Sequence, residues 1–311
     1  MSEFKFDPAP FVPFRDQEAL ALARSVHGKD LEKYSNEHMK VKVVMNPHPI
    51  VIGDIFTRMK MSDDKDVKQV FILGNPEPDT YIPLAELINL HRVDCRNVHI
   101  FSMDEWADQD GNLAPITYKS GFSYSMMKYL YGQIDPELRM PVENMHLPTT
   151  ENMDHYSDLI TEVGDGGADA CYSSPGWAGH VAFVDPVEEF MTDDIEEYLK
   201  MGARLINLHP MTIMQNSLHG VFGQSGDIAN VPPKAFTIGP ADIARSRVRI
   251  EIHALQTMGT FSSWQRMTSR LVILGPVTPL MPSSIFQILD TTIYVSEEIA
   301  APFEPWEKVG Y

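Results

Sequence analysis

Apolar residues recur along this chain in two spacings. Short continuous runs, closed by Gly or a polar cluster, read as strands buried on both faces. These are residues 41–45 (VKVVM), 70–74 (VFILG), 98–103 (VHIFSM) and 168–173 (ADACYS). Helical spacing predicts helices over residues 17–27, ended by Gly28, and over 51–61, 81–92, 118–131 and 151–163. Beyond these, 203–208, 235–238, 248–255 and 291–295 have strand character. A turn of helix is expected at 243–246, a short helix at 264–270, a strand at 271–274 and a helix at 283–289. Strands alternating with helices predict an α/β fold with a mostly parallel central sheet.

No linker is rich enough in Pro, Gly or Ser to mark a domain boundary. The division expected is an N-terminal arm and helix over residues 1–40, then a single α/β domain over 41–311. The acidic run 188–197 (EEFMTDDIEE) reads as a solvated connection. In an open parallel sheet, ligands sit beyond the carboxyl ends of the strands. Three loops therefore become candidates: residues 74–80 (GNPEPDT), 102–108 (SMDEWAD) and 173–186 (SSPGWAGHVAFVDP).

Composition narrows the function classes. The 311 residues carry 43 acidic against 25 basic side chains, a formal net charge of −18. That excess argues against nucleic acid and against an anionic membrane surface as partners. The two cysteines, Cys95 and Cys171, have no metal-ligand spacing and outline no disulfide framework. Neither a basic, apolar leader nor a stretch of membrane-spanning length is visible, so a soluble cytoplasmic protein is expected. Aromatic residues near the termini (Phe4, Phe6, Phe11, Phe14, Trp306) suit a homo-oligomeric interface as well as packing on their own subunit.

The chemistry concentrates in two of the three loops. Asp104 and Glu105 follow a strand and supply a carboxylate able to move a proton; the same pair is also an ordinary helix cap. His180 lies among glycines with Asp185 shortly downstream. A carboxylate and an imidazole at one cleft suit acid/base work, and a carboxylate beside a histidine fixes its tautomer.

In combination these segments resemble the glucosamine-6-phosphate deaminase/isomerase family. FSMDEW (101–106) resembles the family's F-x-M-D-E-Y, and GWAGHVAFVDP (176–186) resembles G-x-D-G-H-I-A-F-N-E-P. Between them, ITYKSGFSYSMMKYLYGQID resembles the family's S-Y-x-x-F helix, and PVENMHLP resembles P-x-E-N-I-x-x-P. Downstream, QNSLHGVFGQSGDIANVPPKAFTIG resembles the stretch ending V-P-x-x-A-L-T-V-G. The resemblance runs over residues 70–295 and implies a modified doubly wound, Rossmann-like sheet flanked by helices. It implies Asp104 as the base moving a proton between C1 and C2 of an opened sugar. It implies His180 as the group assisting ring opening, oriented by Asp185. No metal or cofactor is implied. A small-molecule sugar or amino sugar is the expected partner, bound by Asn75, Glu77, Asp79, Thr80, Glu105, Ser174, Gly176, Ala178 and Gly179.

Departures from the family pattern cluster on the anion-binding elements. The Asp before Gly-His is Ala178 here, which removes one of two carboxylate neighbours of His180. The phosphate loop P-T-G-x-[ST]-P becomes Pro76, Glu77, Pro78, Asp79 and Thr80. Such a loop works by aiming backbone N–H groups at the anion; Pro78 has none, and the two acids repel phosphate. The phosphate-binding Lys position falls near Thr257, and the family Arg falls near Ile213. The glycine pair leaving the third strand is Ser173-Ser174. Each charged contact to phosphate is worth about 1.5–3 kcal/mol, so their joint loss predicts an unphosphorylated ligand. Arg245, Arg247 and Arg249, and likewise Arg266 and Arg270, read as surface charge. His209 and His219 are candidates to line the cleft, with at most one of them expected there. A non-catalytic sugar-binding or regulatory protein on this scaffold, and a lactonase, are the competing readings.

Overall fold

The computed structural model describes residues 6–74, 78–255 and 263–303. Asn75, Glu77, Thr257, Phe4 and Trp306 lie outside them. The chain opens with α1 (Gln17–Ser25), β1 (Met39–Val44), α2 (His48–Lys65), β2 (Gln69–Leu73), α3 (Pro78–His91) and β3 (Val98–Ser102). It continues through β4 (Asp104–Ala107), α4 (Phe122–Tyr129), β5 (Met145–His146), α5 (Tyr156–Val163), β6 (Ala170–Ser173) and α6 (Ile195–Tyr198). The last part holds β7 (Arg204–Asn207), α7 (Pro210–Asn216), β8 (Lys234–Thr237), α8 (Pro240–Arg245), β9 (Val248–His253), α9 (Gln265–Leu274), β10 (Thr291–Ser296) and α10 (Glu297–Ala300).

Seven strands form a sheet in the order β1-β10-β9-β6-β2-β3-β5, parallel at every pairing. Successive residues of a strand point to opposite faces, which explains the continuous apolar runs. On β2, Val70 and Ile72 enter one core cluster while Phe71 and Leu73 enter the other. Both clusters are buried, and a chain covered on both faces has no polar alternation to display. The N-terminal helix belongs to this packing. Asp16 caps α1 by accepting from the N–H groups of Glu18 and Ala19, and Ala19, Leu20 and Ala23 are buried in the same cluster as β1 and β10. Phe14 is buried beside them, whereas Phe6 and Phe11 are exposed. Cys95 and Cys171 are free and buried.

Several features differ from the sequence pattern. A second, three-stranded antiparallel sheet, β4-β8-β7, stands apart from the parallel one. Residues 104–107, expected as a loop, are its β4 strand. Residues 271–274 are not a strand but the end of α9. Their apolar run is buried nearly all round, and a short buried helix segment has no periodicity to distinguish it from a strand. Helix α4 is shorter than expected because residues 118–121 form a turn and Gly121 is the N-cap. The acidic run 188–197, expected as a solvated connection, instead holds a 3-10 turn (Glu188–Phe190) with buried Phe190 and leads into α6, whose Tyr198 is also buried. Among the described residues, no helix is long and apolar enough to cross a membrane.

Candidate active site

The site begins where the chain passes from one sheet to the other. Met103 bridges them: its N–H donates to Leu73 O at 3.2 Å, and its carbonyl accepts from Ile238 N at 2.8 Å. Asp104 then opens β4. Its side chain is 5% exposed and lines a cavity beyond the carboxyl ends of β2, β6 and β9. Asp104 Oδ1 has no hydrogen-bond partner among the described residues. Burial, helped by neighbouring Glu105, holds this carboxyl well above the usual carboxylate range.

Strand alternation sends Glu105 the other way. Its carboxylate accepts from Trp106 N at 2.8 Å, Phe122 N at 3.2 Å and Ser123 N at 2.7 Å. Glu105 therefore anchors the start of α4 and does not line the cavity. The cap reading applies to Glu105 and the cavity reading to Asp104.

The 176–186 loop delivers the imidazole. His180 is 4% exposed. Its Nδ1 lies 2.7 Å from Asp185 Oδ1 and 3.0 Å from Thr212 Oγ1. Asp185 is fully buried behind the ring and is itself held: Oδ1 accepts from Thr212 Oγ1 at 2.7 Å, and Oδ2 accepts from His209 N at 2.9 Å. This fixes the ring and leaves Nε2 on the cavity side, the arrangement a general acid/base needs. Gly176 makes it possible, since a Cβ there would meet His180 Nε2 at 1.8 Å. Gly179 has φ +81°, and a Cβ on it would meet Met281 Sδ at 2.2 Å. Neither position tolerates a side chain.

Asp104, His180, Thr80, Ser174 and Gly176 share this one cavity. Ala178 is buried, Gly179 shapes the turn, and Asp185 acts from behind the imidazole; none of the three is on the wall. Asp79 is exposed at the start of α3. There Thr80 Oγ1 lies 3.3 Å from His48 Nδ1, and burial, opposed by Asp79, lowers the pKa of His48.

Two glutamines of the cavity drew no role from the sequence: Gln215, although it opens the QNSLHG stretch, and Gln265, which lies in no motif. Gln215 Oε1 accepts from Trp177 N at 2.5 Å. Gln265 donates to Ser174 Oγ and to Pro175 O, both at 2.8 Å, and accepts from Leu255 N at 2.7 Å. Thr212 was equally silent, because a threonine inside a helix has no distinctive spacing. Of the two candidate histidines, His219 lines the cavity and His209 supports Asp185 through its backbone. Burial lowers His219 to about 4.

Among the described residues lining the cavity, none is Lys or Arg. Much of the wall is apolar, including Val51 and Ile55 from α2 and Ile250 and Ile252 from β9. The arginines read as surface charge are partly structural instead. Arg249 is 6% exposed and donates to the carbonyls of Ala244 and Asp290 at 3.1 Å. Arg247 binds Gly167 O at 2.6 Å and Gly164 O at 2.9 Å. Arg270 is fully buried among carbonyls. Charge count alone does not show that a guanidinium can be spent on orphaned helix-end carbonyls. Among the described residues, no group of three or more His, Cys, Asp or Glu is placed to hold a metal ion.

No family model matches the chain. A glucosamine-6-phosphate deaminase of Lachnoclostridium phytofermentans is 26% identical over 221 residues, covering 69% of this chain and 80% of that protein. One of Clostridium botulinum is 27% identical over 234 residues, covering 73% and 81%. Over about 70% of its length the chain is similar to glucosamine-6-phosphate deaminases at about a quarter identity. Among solved structures, a monomeric glucosamine-6-phosphate deaminase superposes with a TM-score of 0.64 at 19% identity, over 84% of this chain and 99% of that one. A 6-phosphogluconolactonase from Thermotoga maritima gives 0.55 at 16% identity, over 83% and 99%. These likenesses carry the fold: a parallel α/β sheet flanked by helices, shared by deaminases and lactonases.

Proposed function

We propose that this deaminase relative is a sugar isomerase/deaminase-like enzyme of carbohydrate, and specifically amino-sugar, metabolism. Asp104 moves a proton between adjacent carbons, C1 and C2, of an opened sugar. His180, oriented by Asp185 and Thr212, moves the proton that opens the ring. One observation carries the reading: the buried carboxyl of Asp104 and the fixed imidazole of His180 belong to residues lining the same cavity. Burial, with Glu105 beside it, raises the Asp104 pKa, the direction that makes a carboxylate a stronger base. The names of the curated relatives support the same class of chemistry.

The ligand in this reading is unphosphorylated. Phosphate sites rest on guanidinium or ammonium groups and on N–H groups at a helix start. Here the described cavity wall carries neither Lys nor Arg, and α3 opens with Pro78 and Asp79. The test is a panel of D-glucosamine, D-mannosamine and D-glucose, each with and without a 6-phosphate, scored by thermal shift and by ammonia or ketose formation. Selective turnover of the unphosphorylated members is expected. Efficient, selective turnover of glucosamine 6-phosphate would contradict the ligand assignment. Hydrolysis of a sugar lactone instead would point to the lactonase relatives.

A further inference from the structure

A second buried polar cluster stands behind the cavity, on residues outside the acid/base group. On β9, Ile250 and Ile252 face the cluster that also holds Val51 and Tyr172, while the alternate positions Arg249, Glu251 and His253 face the other side of the sheet, from which Phe122 and Phe183 also reach the cavity over the strand ends. Glu251 and His253 are both fully buried in the middle of a seven-stranded sheet. Apolar residues would be expected there.

Their contacts run in a line to the cavity. Ser173 ends β6, lies beside Glu251 in the parallel register and lines the cavity. Its hydroxyl donates to Glu251 Oε2. At the far end, His253 Nδ1 is 2.7 Å from Ser269 Oγ on α9. Between them, Glu251 Oε1 and His253 Nε2 face each other at 3.8 Å, and neither has a partner among the described residues. With His253 Nδ1 donating to Ser269, an ionised Glu251 would set two buried acceptors against each other, which is costly. A single proton between them satisfies both: a carboxylic O–H on Oε1 directed at the Nε2 lone pair, directly after a small rotation or through one water. A neutral ring then donates from Nδ1 to Ser269.

We propose that Glu251 is a positioning residue of the cavity: it shares one proton with His253 and thereby fixes the Ser173 hydroxyl toward itself, so that Ser173 meets a ligand only as an acceptor and favours a donor, a hydroxyl or an ammonium.

The surrounding charges support a neutral acid. On β6 the neighbouring ionisable group is Cys171, whose thiol burial and Glu251 push upward. Arg249, on the same strand, is spent on the carbonyls of Ala244 and Asp290. On α9, Ser269 and Gln265 are uncharged, and Arg270 is turned to Val26 O and Ile299 O. On α8, Asp242 is occupied by Ser157 and Gly239 N. Burial raises Glu251 to about 8 and lowers His253 to about 3, so both are neutral near pH 7. Glutamine mimics the protonated acid, with its amide N–H toward His253 and its oxygen toward Ser173. Methionine mimics neither.

The ligand part of this proposal rests on the sugar reading of the cavity; the proton part does not. The experiment has two arms on the full-length protein. The first is the infrared difference spectrum between wild type and E251Q from pH 6 to 9.5. A protonated-carboxyl band present at pH 6–7 and lost near pH 8 is expected. A carboxylate signal at pH 6 would overturn the shared proton. The second measures dissociation constants for D-glucosamine and D-glucose at pH 7. E251M is expected to weaken both by about 3–10-fold, the range of one neutral hydrogen bond, and E251Q to restore binding to within about twofold. Equal losses in E251M and E251Q, or none in E251M, would overturn the positioning role. Absence of wild-type binding to either sugar would overturn the ligand assignment together with the sugar reading, leaving the band to decide the proton.

Discussion

Arg270 ties the two ends of the chain into the core, and replacing it with Met gives a sharp test of how the fold is held. The guanidinium is fully buried. It donates to Val26 O at 2.8 Å, just past the end of α1, and to Ile299 O, Ala300 O and Ala301 O at 2.9, 2.8 and 2.9 Å, around the end of α10. Its plane also lies 4.3 Å from the Phe303 ring centroid. These carbonyls are the acceptors that helix ends leave unpaired. R270M keeps most of the volume and removes every donor. An orphaned buried carbonyl costs about 1–3 kcal/mol. Four would exceed that severalfold if all stayed dry, but those nearest the surface gain water. The desolvation cost of the buried cation also disappears. The expected net loss is about 3–5 kcal/mol, the range for breaking a buried charged network. Urea unfolding followed by far-UV circular dichroism measures it. A loss below about 1 kcal/mol would refute the clamp and return Arg270 to the class of surplus charge.

Two further outcomes follow from the site and the sheet edge. G176A should displace the His180 ring, since the added Cβ would fall 1.8 Å from Nε2; sugar turnover should drop at least tenfold with little change in helix content, and wild-type turnover would show that the ring is not used where it stands. At the sheet edge, His146 stacks on Phe101 with centroids 4.2 Å apart, and burial, then His99, lowers it from 6.5 to about 4. A depressed histidine stabilises the fold above its unfolded value, and that contribution is lost as pH falls from about 6.5 to 4. Its partial exposure reduces the effect to about 1–2 kcal/mol. H146F keeps the stacking and should flatten this limb of the stability–pH curve, whereas an unchanged acid limb would assign it elsewhere.

The parallel sheet was legible because β2, β3 and β6 are apolar on both faces, which turns resemblance to a continuous run into evidence of position. The antiparallel sheet was not. Its β4 strand is four residues long, carries Asp104 and Glu105, and lies in a segment whose chemistry suggested a loop. The catalytic candidates stood out because Asp104 sits in the short motif FSMDEW, and His180 and Asp185 sit in a second one with glycines at fixed offsets. Thr212 and Gln265 did not, because residues that hold other residues in place have no spacing of their own. Glu251 and His253 were hidden for a related reason: as alternate positions in an apolar strand they look like ordinary polarity on a solvent face, and only the sheet on both sides shows that no solvent is there. Arg270 was misread by the same logic.

The central claim is that Asp104 still moves protons on a sugar held without a phosphate grip. Incubating the protein in D2O with unphosphorylated D-glucosamine and following C1 and C2 by NMR tests it most directly. The account predicts deuterium wash-in with wild type, slowed at least a hundredfold in D104N. Binding without any wash-in would make the protein a sugar-binding scaffold, and wash-in confined to glucosamine 6-phosphate would contradict the loss of the anion site.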